Sequence, residues 1–142
     1  MGHFKFYIDR LRASGMRPTK QRVAICKFLF DRKQTFHFTI EQLKKIVEKE
    51  GKKNISLATL YNTVHAFEQK GYLKKISLKV NDRDNQAFFD TNTSNHHHFY
   101  DEDMSQLFDI EDKNISINYL PKTPSGKKIK SVEVLVKIED LK

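Results

Sequence analysis

The spacing of the apolar residues changes once along the chain, at Gly71, and this change limits the fold more than any other feature. Before Gly71, apolar residues recur every three or four positions, as they do in amphipathic helices. After it, Ile76, Leu78 and Val80 alternate with polar residues, as in a strand with one buried face. The sequence therefore predicts helices followed by strands, in an α+β chain.

Four helices are predicted in the first 70 residues, and capping residues separate them. The segment FKFYIDRLRAS ends near Gly15, which suits a helix C-cap. Thr19 precedes KQRVAICKFLF as an N-cap, and Thr39 with Gln42 forms a capping-box pattern before the third helix. Ser56 caps the fourth, LATLYNTVHAFEQK. The apolar stripe expected of this fourth helix comprises Leu57, Leu60, Val64 and Phe67.

A two-stranded hairpin is predicted next, because residues 76–80 and the segment QAFFD flank the turn sequence NDRDN. Three helices, a fourth exposed helix and a hairpin are the order of a winged helix-turn-helix domain, whose recognition helix enters the DNA major groove. Lys74, Lys75 and Lys79 of the hairpin would contact phosphates. The outward side of the fourth helix is small and polar, which suits close approach to base edges.

Charge and cysteine content limit the class of protein. Residues 1–80 carry a net charge of +12 and residues 81–142 a net charge of −4. A basic first half favours a polyanion such as double-stranded DNA, although a solvated basic surface has the same composition. Cys26 is the only cysteine, so an internal disulfide is excluded. The sequence has no long apolar run and no signal-peptide pattern, so we expect no membrane span and a cytoplasmic protein.

The second half is predicted to be a small sheet. HHHFY and QLFDI can pair as two strands, NYLPKTPSGKK is a loop or one short helical turn, and SVEVLVKIE is the clearest strand. The apolar face of that last strand comprises Val132, Val134, Val136 and Ile138. Two or three strands of this length bury little surface on their own. We therefore expect a second copy of the chain to cover this face. A homodimer also suits a protein that reads two DNA half-sites.

Three consecutive histidines, His96, His97 and His98, open the first of these strands. Because successive side chains of a strand point to opposite faces, His96 and His98 share one face and His97 points away. Asp109 lies in the next strand and can reach the face of His96 and His98 across the hairpin. This arrangement indicates a pair of imidazoles facing a carboxylate.

Two further candidate ligands are Asp90, at the end of the wing, and His37, in the loop predicted before the third helix. Imidazoles with carboxylates suit zinc, iron(II) or manganese(II). The alternatives are a polar sheet face and a pH-sensitive surface. A zinc hydrolase is disfavoured, because the chain has neither an HExxH motif nor a Cys-x-x-Cys pair.

Four segments of the chain, taken together, resemble a known family. They are LRASGMRPTKQRVAI, HFTIEQL, ISLATLYNTVHAFEQKGYL and FFDTNTSNHHHFY. In order and spacing they are similar to the ferric uptake regulator (Fur) family, from about Leu11 to Ile110. The resemblance implies a dimeric DNA-binding repressor that senses metal ions, peroxide or haem. It also implies a winged helix-turn-helix DNA-binding domain over residues 1–88 and a small α/β dimerisation and sensing domain over residues 89–142.

The resemblance also implies functional residues. Its sensory metal site falls on His37, Asp90, His96, His98 and Asp109. A metal held by both halves of the chain would fix the angle between the domains, and so the spacing of the two recognition helices. Arg17 would enter the minor groove of an A/T-rich operator, and Tyr61 would contact a base. The DNA contacts expected in all are Arg17, Arg22, Thr59, Tyr61, Asn62 and Thr63.

One segment departs from the family pattern. Most members carry Cys-x-x-Cys after the histidines, whereas YDEDMSQ has Asp101 and Met104 there, so no structural zinc is expected. The missing pair with an intact HHH run resembles the iron response regulator (Irr) branch. That branch implies control of iron and haem homeostasis genes, with haem bound through His96, His97 and His98. The alternative is a divalent-metal or peroxide-sensing repressor. Cys26 lacks the following proline of a haem motif and is expected to be a core thiol.

Overall fold

The computed structural model describes residues 3–52, 54–80 and 84–142 of the chain. They form two compact units, Met1–Thr93 and Ser94–Lys142. The boundary predicted after residue 88 falls inside the strand Asp84–Asp90, which is paired with other strands of the first unit. The division therefore lies between Thr93 and Ser94. Of the predicted turn NDRDN, residues 81–83 lie outside the described residues, whereas Asp84 and Asn85 belong to the strand Asp84–Asp90 rather than to a turn.

The described residues of the first unit form four helices, as the periodicity predicted. They are α1 (His3–Ala13), α2 (Lys20–Phe30), α3 (Ile40–Lys49) and α4 (Leu57–Lys70). The hydroxyls of Thr19, Thr39 and Ser56 each accept a backbone N–H at a helix start, and Thr39 forms the full capping box with Gln42. Gly71 ends α4 with a left-handed conformation, φ 89°. No helix in the described ranges combines the length and apolarity that a membrane span requires.

A three-stranded antiparallel sheet completes the first unit. It consists of β1 (His37–Phe38), β2 (Lys74–Val80) and β3 (Asp84–Asp90), in the order β1-β3-β2. The hairpin β2–β3 was predicted, but β1 was not, because two residues are too short to show alternation. His37 therefore lies in a strand opposite Asp90, and the prediction of a loop at this position was wrong.

The core of the first unit includes the buried side of every helix. In α4, Leu60, Val64 and Phe67 are fully buried, whereas Leu57 is half exposed and lies one turn before the exposed Tyr61. Leu57 was therefore wrongly assigned to the apolar stripe. Cys26 is fully buried, and burial raises the pKa of its thiol to about 12. It is a core thiol with little thiolate at neutral pH.

The second unit is a three-stranded sheet in the order β5-β4-β6. Its strands are β4 (His97–Asp101), β5 (Gln106–Ile110) and β6 (Leu135–Ile138). The hairpin β4–β5 is antiparallel, as predicted, while β6 adds to β4 in parallel. The strand predicted from SVEVLVKIE is shorter than expected, since only four of its residues pair. The segment between β5 and β6 contains a single 3-10 turn, Asp112–Asn114, and is otherwise loop.

One row of apolar side chains crosses all three strands of this sheet. Phe99 pairs with Phe108 on one side and with Val136 on the other, so the three side chains share a face. They are 37%, 45% and 37% exposed, respectively. The second unit thus leaves a continuous apolar row uncovered by its own chain.

Candidate metal centre and nucleic-acid interface

The second unit brings two imidazoles to one carboxylate. His96 lies just before β4 and His98 within it, and the rings' centroids are 4.4 Å apart. The register of β4 and β5 places His98 opposite Asp109. Asp109 Oδ1 lies 3.1 Å from Nε2 of His96 and 3.3 Å from Nε2 of His98. Both imidazoles are nearly buried, whereas the Asp109 side chain is 38% exposed.

The ring of His96 is held in a defined tautomer. Its Nδ1 lies 2.7 Å from the carbonyl oxygen of Ser94, and a carbonyl only accepts, so Nδ1 carries the hydrogen. In the neutral ring, Nε2 then presents a lone pair towards Asp109 Oδ1, which also bears lone pairs. Such an arrangement requires a proton or a cation between the two atoms. A backbone carbonyl on the second ring nitrogen is also how metal-binding histidines are commonly oriented.

The donor atoms fit a divalent ion. The described ligand atoms of His96, His98 and Asp109 lie within 4.8 Å of one another. Ligands bonded at about 2.0–2.2 Å to one ion are separated by about 3–3.5 Å, close to the two distances from Asp109. Nitrogen and oxygen donors without sulfur suit iron(II), manganese(II) or zinc rather than copper(I).

The first unit brings together the other two predicted ligands. β1 places His37 opposite Asp90 of β3, with His37 Nε2 3.4 Å from Asp90 Oδ2. The Asp90 side chain is fully buried, and its other oxygen accepts the N–H of Asn92 at 2.8 Å. Phe36 and Thr91 exchange two further hydrogen bonds beside the pair. Both donors are therefore held by strand pairing rather than by loops.

His97 takes no part in the imidazole pair of the second unit. Its side chain is 3% exposed, its Nε2 lies 2.8 Å from Asp112 Oδ1, and its Nδ1 accepts the N–H of Val134 at 2.9 Å. Strand alternation predicted that His97 would point away from His96 and His98. Sequence reasoning missed both of its partners, because they lie 15 and 37 residues further along the chain.

Asp101, one of the two residues at the expected Cys-x-x-Cys positions, lies with Asp103 in the turn between β4 and β5. Asp101 Oδ1 accepts the N–H groups of Asp103 and Met104, at 3.0 and 3.1 Å, and so shapes the turn between β4 and β5. Asp103 Oδ2 accepts the N–H of Asp140. These acids serve as backbone hydrogen-bond acceptors. The only cysteine, Cys26, is buried in the other unit, so this chain offers no thiolate for a structural zinc here.

The exposed face of α4 presents most of the predicted DNA contacts. Tyr61 is 56% exposed and stacks on His65, with centroids 6.0 Å apart, while Asn62 is exposed and Thr59 partly so. Thr63 is fully buried, and its hydroxyl donates to the Thr59 carbonyl. The prediction of a DNA contact at Thr63 was therefore wrong, because this flank of the helix packs inward.

Basic residues frame the start of α2. Arg17 is exposed, and its carbonyl accepts Nη1 of the partly buried Arg22 at 2.8 Å. Arg22 N–H also donates to the Thr19 cap, so the two arginines are held at the helix N-terminus. On the hairpin, Lys75 and Lys79 are exposed. These cations lie in the unit that carries the net positive charge.

Comparison with known proteins assigns the chain to a family. A family model described as "Ferric uptake regulator family" matches residues 13–138. The chain belongs to the ferric uptake regulator family. Members of this family are transcription regulators and not enzymes, which confirms the expectation that this chain is no hydrolase.

Individual relatives agree with this assignment. The chain is 32% identical to the peroxide-responsive repressor PerR of Staphylococcus aureus over 104 residues. This aligned length is 73% of this chain and 66% of that protein. The fold resembles the Vibrio cholerae ferric uptake regulator (TM-score 0.69, 18% identity, 94% of this chain and 98% of that one). It also resembles the manganese-bound Pseudomonas aeruginosa ferric uptake regulator (TM-score 0.63, 19% identity, 96% and 98%). Both likenesses confirm the predicted fold of winged-helix domain and small α/β domain.

Replacement of Asp109 by asparagine should weaken divalent-metal binding by about tenfold or more, because the carboxylate charge between the two imidazoles is removed. Calorimetric titration of the purified Fur-family chain with manganese(II) measures the effect. Glu111→Gln is the matched control, since Glu111 is exposed and pairs with Lys113 in the same unit. Equal affinities for the two variants would exclude Asp109 as a ligand.

Proposed function

We propose that the chain is a cytoplasmic, metal-responsive DNA-binding transcriptional regulator that acts as a homodimer. The observation that carries the proposal is the set of two imidazole nitrogens and one carboxylate oxygen in the second unit, at separations that suit one divalent ion. Membership in the ferric uptake regulator family supports the DNA-binding role. The relatives' own names point in the same direction, since one is a peroxide-responsive repressor and another contains manganese.

The sensory site that we propose has five ligands: His37, Asp90, His96, His98 and Asp109. His37 and Asp90 of the first unit and His98 and Asp109 of the second lie on paired strands, and His96 directly precedes β4. A bound divalent ion would supply the positive charge that both groups of donors share. This coupling would make the affinity for DNA depend on metal, because metal binding and DNA binding would favour the same arrangement of the chain.

On the DNA side, we propose that α4 enters the major groove and that Tyr61 reads a base edge. Asn62 and Thr59 share its exposed side, while Arg22 would contact a phosphate and Arg17 the minor groove of an A/T-rich operator. The net charge of +12 over residues 1–80 supports binding through phosphates. Such binding weakens steeply as the salt concentration rises.

Manganese(II) should increase the affinity for a DNA duplex selected from a random pool, and His37→Ala should remove that increase while leaving metal-free binding unchanged. Tyr61→Ala should lower the affinity with metal by about tenfold, the effect of one good base contact. Fluorescence anisotropy at several salt concentrations measures both effects. Gln69→Ala, at the exposed end of α4, is the control for Tyr61. An affinity that stays flat with salt, or no enrichment of any duplex, would contradict DNA recognition.

The apolar row Phe108–Phe99–Val136 supports the homodimer. Three strands form a small sheet, and its central row is about 40% exposed in the single chain, which favours coverage by a second copy. A second copy also matches the two half-sites that a dimeric winged-helix protein reads. The sheet of the second unit is thus proposed as the dimer interface.

A glutamate in place of Phe108 should convert a dimer into a monomer, because the charge would be buried without a partner. Sedimentation velocity of the variant beside the parent chain measures the change. Met104→Glu adds the same charge at an exposed position in the turn before β5 and should leave the dimer intact. Dimers that survive Phe108→Glu would place the interface elsewhere.

Haem and peroxide are two candidates for the signal that this regulator senses. The Irr-like interpretation, with haem bound through His96, His97 and His98 and control of iron and haem genes, rests on the intact HHH run without Cys-x-x-Cys. His96 and His98 direct their Nε2 atoms at the same oxygen of Asp109, whereas His97 lies on the other face of β4 and bonds to Asp112 and Val134, which favours His96 and His98 as the haem ligands. Peroxide sensing rests instead on the 32% identity to PerR.

Haemin added to the purified chain should produce a shifted Soret band that the double variant His96→Ala, His98→Ala loses, if haem is the signal. The same protein loaded with iron(II) and exposed to peroxide should instead gain an oxygen atom on His37 or His96, detected by peptide mass spectrometry, if peroxide is the signal. Each outcome supports one proposal at the expense of the other. Absence of both changes would leave a regulator that responds to the metal alone.

A further inference from the structure

His97 is a buried histidine whose two ring nitrogens both meet groups beyond β5 in the chain. Its Nδ1 lies 2.9 Å from the backbone nitrogen of Val134, and its Nε2 lies 2.8 Å from Asp112 Oδ1. A backbone N–H only donates, so Nδ1 is the acceptor and the hydrogen of the neutral ring is on Nε2, which donates to Asp112. The hydrogen bonds themselves therefore assign the tautomer.

Val134 is the residue immediately before β6, and two neighbouring residues of β4 hold its backbone. His97 accepts its N–H, and its carbonyl accepts the N–H of His98 at 3.2 Å. β6 has only four residues and is partly exposed along its length. The connection from β5 is long and mostly irregular, so the bonds to Val134 fix the point at which the returning chain joins β4.

Asp112 lies at the opposite end of the same connection, two residues after β5. The imidazole of His97 therefore joins β4 to both ends of the segment that leads from β5 to β6. If β6 were released, β4 would become an edge strand on that side, since the sheet order is β5-β4-β6. The neighbours of His97 in the chain are His96 and His98, whose direction depends on the backbone of β4.

We infer that His97 is a positioning residue, not a ligand: its imidazole clamps β6 and the 3-10 turn at Asp112 to β4, and thereby holds His96 and His98 towards Asp109. The effect on metal binding rests on the proposed function, whereas the clamp itself does not. A ligand role would require His97 to give up Val134 or Asp112, because neither ring nitrogen is available otherwise.

Three substitutions separate the two bonds. Asparagine places an acceptor oxygen near the position of Nδ1 and so keeps the bond from Val134. Glutamine places a donor near the position of Nε2 and so keeps the bond to Asp112. Alanine keeps neither bond. Hydrogen–deuterium exchange of the metal-free protein is expected to be faster at residues 134–138 in His97→Ala and His97→Gln, and near the parent rate in His97→Asn. Unchanged exchange in His97→Ala would overturn the clamp.

Cobalt(II) serves as the metal probe, because its visible spectrum reports the ligands. In His97→Ala we expect about tenfold weaker binding with the parent spectrum at saturation, as for other groups that orient a ligand. In His98→Ala we expect a changed spectrum. A changed saturated spectrum in His97→Ala would make His97 a ligand and overturn the inference. A parent chain that binds no cobalt(II) would contradict the proposed function instead, and the exchange measurement would then decide the clamp by itself.

Discussion

The pairing of β4 with β5 is the constraint on which the donor atoms of the second unit depend. Its register puts His98 opposite Asp109, and a shift by one residue would turn His98 to the other face of the sheet. The turn that sets this register is held by the Asp101 carboxylate, which accepts two backbone N–H groups. Ser105 completes it with a left-handed conformation, φ 53°, that few residues other than glycine adopt. The Asp101 carboxylate thus shapes the turn that sets the register of the site.

Three consecutive histidines have three different environments as a result. The Nδ1 of His96 donates to a carbonyl, which leaves Nε2 directed at Asp109, and His98 directs its own Nε2 at the same oxygen. His97 lies on the opposite face and bonds to Val134 and Asp112. The three histidines differ because successive side chains of β4 point to opposite faces. The segments that contain Val134 and Asp112 reach only the face of His97.

The first unit connects its pair of donors directly to the helices of the DNA-binding fold. His37 lies in β1, and Thr39, the N-cap of α3, follows after one residue. Any movement of His37 relative to Asp90 therefore acts on the start of α3, which packs against α4. The capping box of Thr39 and Gln42 holds that start rigidly. A metal-dependent change at His37 would have a short mechanical path to the helix that carries Tyr61.

Much of this organisation is determined by the sequence alone. The caps at Thr19, Thr39 and Ser56 begin helices at the expected places, and strand alternation separates His97 from His96 and His98, because these effects depend on residues within about four positions. The order of the motifs indicated the ferric uptake regulator family, and the match over residues 13–138 confirms it.

Only the tertiary structure decided the rest. It decided that His37 lies in a strand, that Thr63 is buried, and that Asp112 and Val134 bind His97. A two-residue strand has no period of its own, and it exists only because β3 lies beside it. The burial of Thr63 depends on which elements pack against that flank of α4. The partners of His97 are brought to it by the path of the chain after β5, which the residues around the histidine do not specify.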